Sequence, residues 1–316
     1  MTAAPLHAPW RHRLALLTLA ATLALIFIGG LVTSTGSGLS VPDWPLSYGM
    51  LMPPMVGGIF YEHGHRMAAT AVGLLTLVLA VWTARADSRR GVRRLAWGAL
   101  AAVVTQGILG GLTVIYLLPT PVSVSHACLA QIFFCLMIAL AYTTSREWGS
   151  ATPVADTAGI RGAATVATAV VFTQLFLGAV MRHIGAGVAI PDFPLAFGRI
   201  LPPFAESAVG IHFSHRIGAL LVTVAIVALV LRARRSADPR FVGPATLALA
   251  LTLVQIGLGA ATVLMEKAVV PTTAHVATGA AILGTCFFLA LRAFRLTVAC
   301  VEMAGVPAIP DRRATA

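Results

Sequence analysis

The chain has 316 residues, of which 58% are hydrophobic and only 10% charged, with a formal net charge of +11. A soluble domain carries roughly 25% charged residues, so this composition excludes an ordinary water-soluble globule. The basic surplus is spread through the connections between apolar runs, which is the pattern of membrane orientation and not of a nucleic-acid-binding face.

In chain order, residues 1–10 are mostly polar and are followed by Arg11 and Arg13. The next apolar run has about 20 residues, enough to cross a bilayer core as a helix. It shows no evident cleavage site, so a retained helix is expected and not a signal peptide. Similar runs predict eight spans near 14–33, 62–84, 95–118, 122–144, 162–181, 208–231, 242–265 and 268–291. With the first span entering from the cytoplasm, 17 of the 22 basic residues fall in inner segments. Five fall outside: Arg66, Arg182, Arg199, Arg216 and Lys267. The opposite orientation inverts this ratio, so both termini are assigned to the cytoplasmic side of a cell membrane. The four cysteines, Cys128, Cys135, Cys286 and Cys300, form no CxxC or CxxCH motif and lie outside the outer loops, so neither a loop disulfide nor covalently attached haem is expected.

The chain repeats itself. Val41-Pro42-Asp43-Trp44-Pro45-Leu46, then Pro53-Pro54, returns as Ile190-Pro191-Asp192-Phe193-Pro194-Leu195, then Pro202-Pro203. Asp43 and Asp192, Pro53 and Pro202, Gln106 and Gln255, and His126 and His275 are each 149 residues apart. A shift kept over so long a stretch marks a duplicated unit. It divides the chain into 1–150 and 151–316, with four spans each and a polar connector near 145–161 as the seam. Four spans is an even number, so both copies enter from one side. An all-α membrane protein follows, with two tandem four-helix bundles related by a pseudo-twofold axis along the membrane normal, as in parallel transporter repeats. The long outer loops, about 34–61 and 183–207, are rich in Pro and Gly and read as compact lids. Trp44, Tyr48, Phe60 and Tyr61 are candidate interfacial anchors of the first.

The heads of the even-numbered spans carry the chemistry. Glu62-His63-Gly64-His65-Arg66 is echoed by His212-Phe213-Ser214-His215-Arg216, and His126 by His275. All four repeated histidines, His65, His126, His215 and His275, fall near the outer face at similar depth. An ionisable residue inside a span is costly and marks function by default. Two histidines from two helices of a bundle are a standard way to hold a haem iron, and the small residues beside them leave room for a porphyrin edge. A proton-relay or packing role is the plainer alternative, and zinc would need further ligands. Arg66 and Arg216 suit either an ion pair with a haem propionate or a snorkelling interfacial position. Glu62 stands where the second copy has His212, one turn from the ligand candidate, so one site is expected to be reactive and the other to hold a fixed cofactor. Asp43 and Asp192 are read as turn caps, and His7, His12 and His183 as solvated or interfacial. Gln106-x-x-Leu109-Gly110-Gly111, Gln174-x-x-Leu177-Gly178-Ala179 and Gln255-x-x-Leu258-Gly259-Ala260 recur in odd spans, with Ile28-Gly29-Gly30 in the first. The small residues allow close helix approach. The glutamines are either interhelical glue or a polar contact to a cofactor.

On these residues the sequence resembles the haem A synthase family over nearly its whole length. Thr35-Gly36-Ser37-Gly38, Pro42-Asp43-Trp44-Pro45, Glu62-x-x-His65-Arg66, His126, His215-Arg216 and His275 carry the resemblance. It implies oxidation of the C8 methyl of haem O to the formyl of haem A by successive hydroxylations. It also implies a resident haem B held by His215 and His275, and a substrate site with His65, His126 and Glu62 in the first half. Haem O synthase is the implied source of substrate, and an unidentified electron donor or acceptor the implied redox partner. Some members carry a cysteine pair in the outer loops, and this chain does not. Two other classes remain open at this point. One is a dihaem electron-transfer cytochrome without haem-modifying activity. The other is a repeat-built transporter, which would favour broken helices and midplane ion sites.

Overall fold

The structure is a computed structural model that describes residues 9–150, 153–156, 158–236 and 238–298. His7, Cys300 and the two arginines at 312 and 313 lie outside the described residues. The chain forms α1 (Pro9–Ser34), α2 (Gly57–Ala86), α3 (Arg90–Ile115), α4 (Thr120–Thr143), the short α5 (Arg146–Ser150), α6 (Ile160–His183), α7 (Ser207–Ser236), α8 (Pro239–Leu264) and α9 (Val269–Leu296). Eight of these, all but α5, are long and apolar enough to cross a membrane. The only strands among the described residues are Val154–Ala155 and Thr297–Val298, which pair in parallel.

The helices overrun the expected spans, chiefly at their inner ends, because hydropathy marks the hydrocarbon-crossing part while the helix continues among the arginines. Residues 116–118 are the exception. Tyr-Leu-Leu reads as helix by hydropathy, yet α3 stops at Ile115 and Leu117 and Leu118 adopt φ of 57° and 60°. Glu266 and Lys267 repeat this turn at 49° and 65°. In each, a back-bond closes the helix end, Leu118 N to Thr113 O at 2.7 Å and Lys267 N to Thr262 O at 2.8 Å.

Helix bounds repeat as the sequence shift requires. α3 and α8 begin 149 residues apart, as do α4 and α9, while α2 and α7 are offset by 150. The loop before α7 is one residue longer and the turn after it one shorter, so the shift recovers. Within each half the four long helices pack in a ring, α1 to α4 and α6 to α9, and the halves meet through α1 with α9, α4 with α6, and α4 with α9. These are the pairings that two tandem bundles facing each other through α4 and α9 would make. Each half has its own apolar core, Ile226, Leu229, Leu283 and Leu289 in the second, Leu79, Met137 and Leu140 in the first.

The inner face is locked by charge. Asp87, between α2 and α3, pairs with buried Arg11 at 2.9 Å and with Arg89 at 2.7 Å, and His12 meets Thr144 at 3.2 Å. Burial would raise the Asp87 carboxyl, but hydrogen bonds from Arg89 and the charges of Arg89 and Arg11 outweigh it and hold it below its usual value. On α5, Glu147 receives both Arg292 Nε and Nη2 of α9 at 2.8 Å, which fixes the connector against the last helix.

Candidate functional site

The four histidines sit on the outer parts of α2, α4, α7 and α9, each half-buried. Each imidazole lies with its Cε1 edge on a glycine of the preceding helix: His65 on Gly29, His126 on Gly110, His215 on Gly178 and His275 on Gly259. A Cβ built at these glycines would stand 3.1, 3.2, 3.0 and 3.1 Å from Cε1. That is the physical content of the recurrent small residues: they admit the ring as well as the neighbouring backbone.

The glutamines act at the same level. Gln106 Nε2 donates to the carbonyl of His126 at 2.9 Å, and Gln174 Nε2 to that of His215 at 2.7 Å. Both therefore bind helix to helix. Gln255 differs, offering its backbone carbonyl 3.2 Å from His275 Nδ1. A histidine that donates Nδ1–H to a carbonyl keeps Nε2 free as a ligand, a common arrangement at metal sites.

His215 and His275 face each other with ring centres 6.4 Å apart. Two metal–nitrogen bonds of about 2 Å each, plus the distance from each nitrogen to its ring centre, come to roughly this separation. The separation is therefore of the size that one metal ion shared by two imidazoles would need, and Gln174 Nε2 stands 3.1 Å from the other ring nitrogen of His215, Nδ1. His65 and His126 are electrostatic neighbours in the first bundle.

Over each histidine pair lies an outer loop clamped by an arginine. Arg66 donates from Nη1 to the carbonyls of Asp43 at 2.7 Å and Leu46 at 2.9 Å, and from Nη2 to Val41 at 3.3 Å. Arg216 does the same for Asp192 at 2.6 Å, Leu195 at 2.7 Å and Ile190 at 3.3 Å. The residues expected at a propionate or at the membrane surface therefore bind loop backbone through these nitrogens. Asp43 accepts from the amides of Tyr48 at 2.6 Å and Gly49 at 2.8 Å, and Asp192 from Phe197 at 2.7 Å and Gly198 at 2.8 Å. Both aspartates cap turns, and the amides, Gly49 and Gly198 foremost, hold their carboxyls below the usual range.

Glu62 and His212 occupy one structural position with different chemistry. Glu62 Oε2 accepts the amide of Val41 at 2.8 Å and Oε1 binds Arg66 at 2.7 Å. His212 Nδ1 accepts the matching amide of Ile190 at 3.2 Å. Both are buried, and both tie the lid to the helix. His63 adds a bond found only in the first half, Nδ1 to Ser47 Oγ at 2.8 Å. Trp44 lies against Gly111, where a Cβ would stand 2.5 Å from its ring. The second half has Phe193 and Ala260 at those places, a smaller ring opposite a larger neighbour.

Glu62, His65 and His126 thus share one end of the first bundle with Arg66, and His215, His275 and Arg216 one end of the second. The sequence reading passed over Arg182, counting it only as an outer charge. From the end of α6 it crosses to the first half, donating to the Gly30 carbonyl at 3.2 Å and Ser34 Oγ at 3.1 Å. Gly30 adjoins the glycine on which His65 rests. A basic residue at the outer end of a span, without counterpart in the other copy (Thr33), was the available signal.

Comparison with known proteins shows the family. The profile of the cytochrome oxidase assembly protein family matches residues 12–57 and 55–287. A relative from Symbiobacterium thermophilum named "Heme A synthase" is 34% identical over 76% of this chain and 81% of its own length. One of the same name from Halalkalibacterium halodurans is 32% identical over 78% and 85%. Another from Geobacillus kaustophilus is 29% identical over 90% and 93%. With the profile matched along most of the chain and two such relatives above 30% identity, the protein belongs to the cytochrome oxidase assembly protein family, among the haem A synthases.

Proposed function

We propose that this membrane oxidoreductase is a haem A synthase that oxidises the C8 methyl of haem O to a formyl group by successive hydroxylations. Its product would serve cytochrome oxidase. Haem O synthase would supply the substrate, and a membrane partner would exchange electrons. The observation that carries the reading is the pair of matched histidine sites, one of them, His215 and His275, with ring centres 6.4 Å apart, a separation that would suit one shared iron. Haem B, held there by His215 and His275, would supply one-electron redox chemistry, with a potential tuned by those two imidazoles.

The remaining roles belong to the chain. His275 is oriented by the Gln255 carbonyl, and His215 is seated on Gly178. In the first bundle His65 and His126 hold the substrate haem, fixed by Gly29 and Gly110. Each hydroxylation is a two-electron oxidation, so the methyl carbon must stay in place through two rounds. The lids clamped by Arg66 and Arg216 keep water out while this happens, and the same arginines edge the space that haem propionates would enter. Glu62 is the buried carboxylate one turn from His65 and is the group assigned to accept a proton as the methyl is oxidised. Both termini are assigned to the cytoplasm of a cell with its plasma membrane as host.

The test is co-expression of the full chain with haem O synthase, followed by chromatography of extracted haems. Haem A should appear only when both are present. Unchanged haem O together with two tightly held haems would identify an electron-transfer cytochrome instead.

A further inference from the structure

On the inner face of the first bundle, Ala84 of α2 and Arg90, Arg93, Arg94 and Trp97 of α3 line a pocket of about 420 Å³. No carboxylate among the described residues pairs with Arg90, Arg93 or Arg94. Their neighbour Arg89, by contrast, is fully engaged, by Asp87 and by the Thr143 carbonyl at 3.0 Å. Arg292 and Arg240 likewise have carboxylate partners. Three guanidinium groups at one pocket without a counterion repel one another and call for an anion from outside the chain.

The duplication sharpens the point. In α8 the residues matching Arg90, Arg93, Arg94 and Trp97 are Pro239, Val242, Gly243 and Thr246. The whole set is absent from one copy, so membrane orientation alone does not require it; Arg234 and Arg235 already mark that side in the second bundle. Trp97 is 48% exposed and stands one turn into the helix from Arg93 and Arg94, the place where an indole settles between headgroups and acyl chains. The arginines lie nearer that end of the helix, at the level where headgroups would sit.

We propose that this pocket binds the phosphate of an anionic phospholipid of the inner leaflet. Guanidinium forks match phosphate oxygens in pairs, basic pockets between spans on this side suit such headgroups, and Trp97 packs on the glycerol and upper chain. The site belongs to the first bundle only and stands apart from the histidine sites, at the opposite membrane face.

The experiment uses the full chain purified in detergent, with native mass spectrometry and thermal unfolding against added dioleoyl-phosphatidylglycerol, dioleoyl-phosphatidylcholine or inorganic phosphate. Phosphatidylglycerol is expected to bind and stabilise, phosphatidylcholine and free phosphate to do neither at equal concentration. The triple variant Arg90→Gln, Arg93→Gln, Arg94→Gln should lose phosphatidylglycerol affinity by roughly a hundredfold, taking each basic group at its usual surface contribution. Arg234→Gln with Arg235→Gln should keep it. The single variant Arg94→Gln serves if the triple one is poorly folded, with a smaller loss expected in the same direction. Equal binding of the two lipids, an unchanged affinity in the variants of Arg90, Arg93 and Arg94, an equal loss in the Arg234 and Arg235 variant, or a response to phosphate equal to that of lipid would each overturn the proposal.

Discussion

In the first bundle the amide of Val41 is received by a carboxylate, Glu62; in the second the amide of Ile190 is received by an imidazole, His212. Around this difference almost everything is conserved between the halves: the arginine clamp, the aspartate-capped turn, the glycine beneath each ligand. The lesson is that anchoring the lid needs only a hydrogen-bond acceptor, and either residue provides one. What the carboxylate adds is a second oxygen, which binds Arg66 at 2.7 Å while the first holds the Val41 amide. The two sites thus share a scaffold and differ, among other places, at a side chain that bears structural duty in both.

The largest expected break in this comparison comes from the ligands. His215→Ala or His275→Ala should remove the low-spin haem B spectrum from the purified protein, because neither helix alone supplies both axial nitrogens. His65→Ala and His126→Ala should leave that spectrum in place while haem O accumulates in the cells. Equal haem loss from all four variants would erase the distinction between a cofactor site and a substrate site.

A second experiment separates the two duties of Glu62. Glu62→His copies the second bundle, retaining an acceptor for Val41 but no carboxylate. Glu62→Gln keeps an acceptor of similar size. Both should let haem O or a hydroxymethyl intermediate accumulate with resident haem B intact, read by chromatography. Normal haem A yield from both would show that anchoring is the residue's whole function.

The smallest effects are expected at the inner face, in protein stability. Asp87→Asn leaves Arg11, 3% exposed, without its charge partner, and unpairing a buried charge costs roughly 3–5 kcal/mol. Asp238→Asn breaks the more exposed pair with Arg240 and should cost about 0–1 kcal/mol. Both carboxyls lie below the usual value of 3.8 in the folded protein. Their contributions are therefore present above that pH and are lost as pH falls through the folded-state values beneath it. Thermal unfolding in detergent from neutral pH downward checks both statements, and equal losses from the two variants would contradict them.

Much of this was legible in the residues. Runs of about 20 apolar residues can satisfy their backbone in lipid only as helices, so eight spans follow from composition. His65, His126, His215 and His275 declare themselves because a duplicated chain repeats what it uses. The clamps made by Arg66 and Arg216 were not legible, since their partners are carbonyls of irregular loops, and a carbonyl carries no side-chain signature. Arg182 was hidden for a related reason. Its partners lie in the other half, 148 and 152 residues away, and no local periodicity reports such a contact. The glycines were visible as small residues, but only the coordinates place an imidazole on each.

That last contact bears on how the protein responds to its membrane. Each ring lies against a glycine of the adjacent helix, so close that even a Cβ there would crowd it. A close-packed contact of this kind transmits displacement without slack. Hydrophobic mismatch is accommodated by helix tilt, and a change in tilt between α8 and α9 would pass straight to His275. The ligand field of a bound iron then becomes a gauge of bilayer thickness, so that lipids of different chain length should shift its spectrum and its potential without any residue being changed.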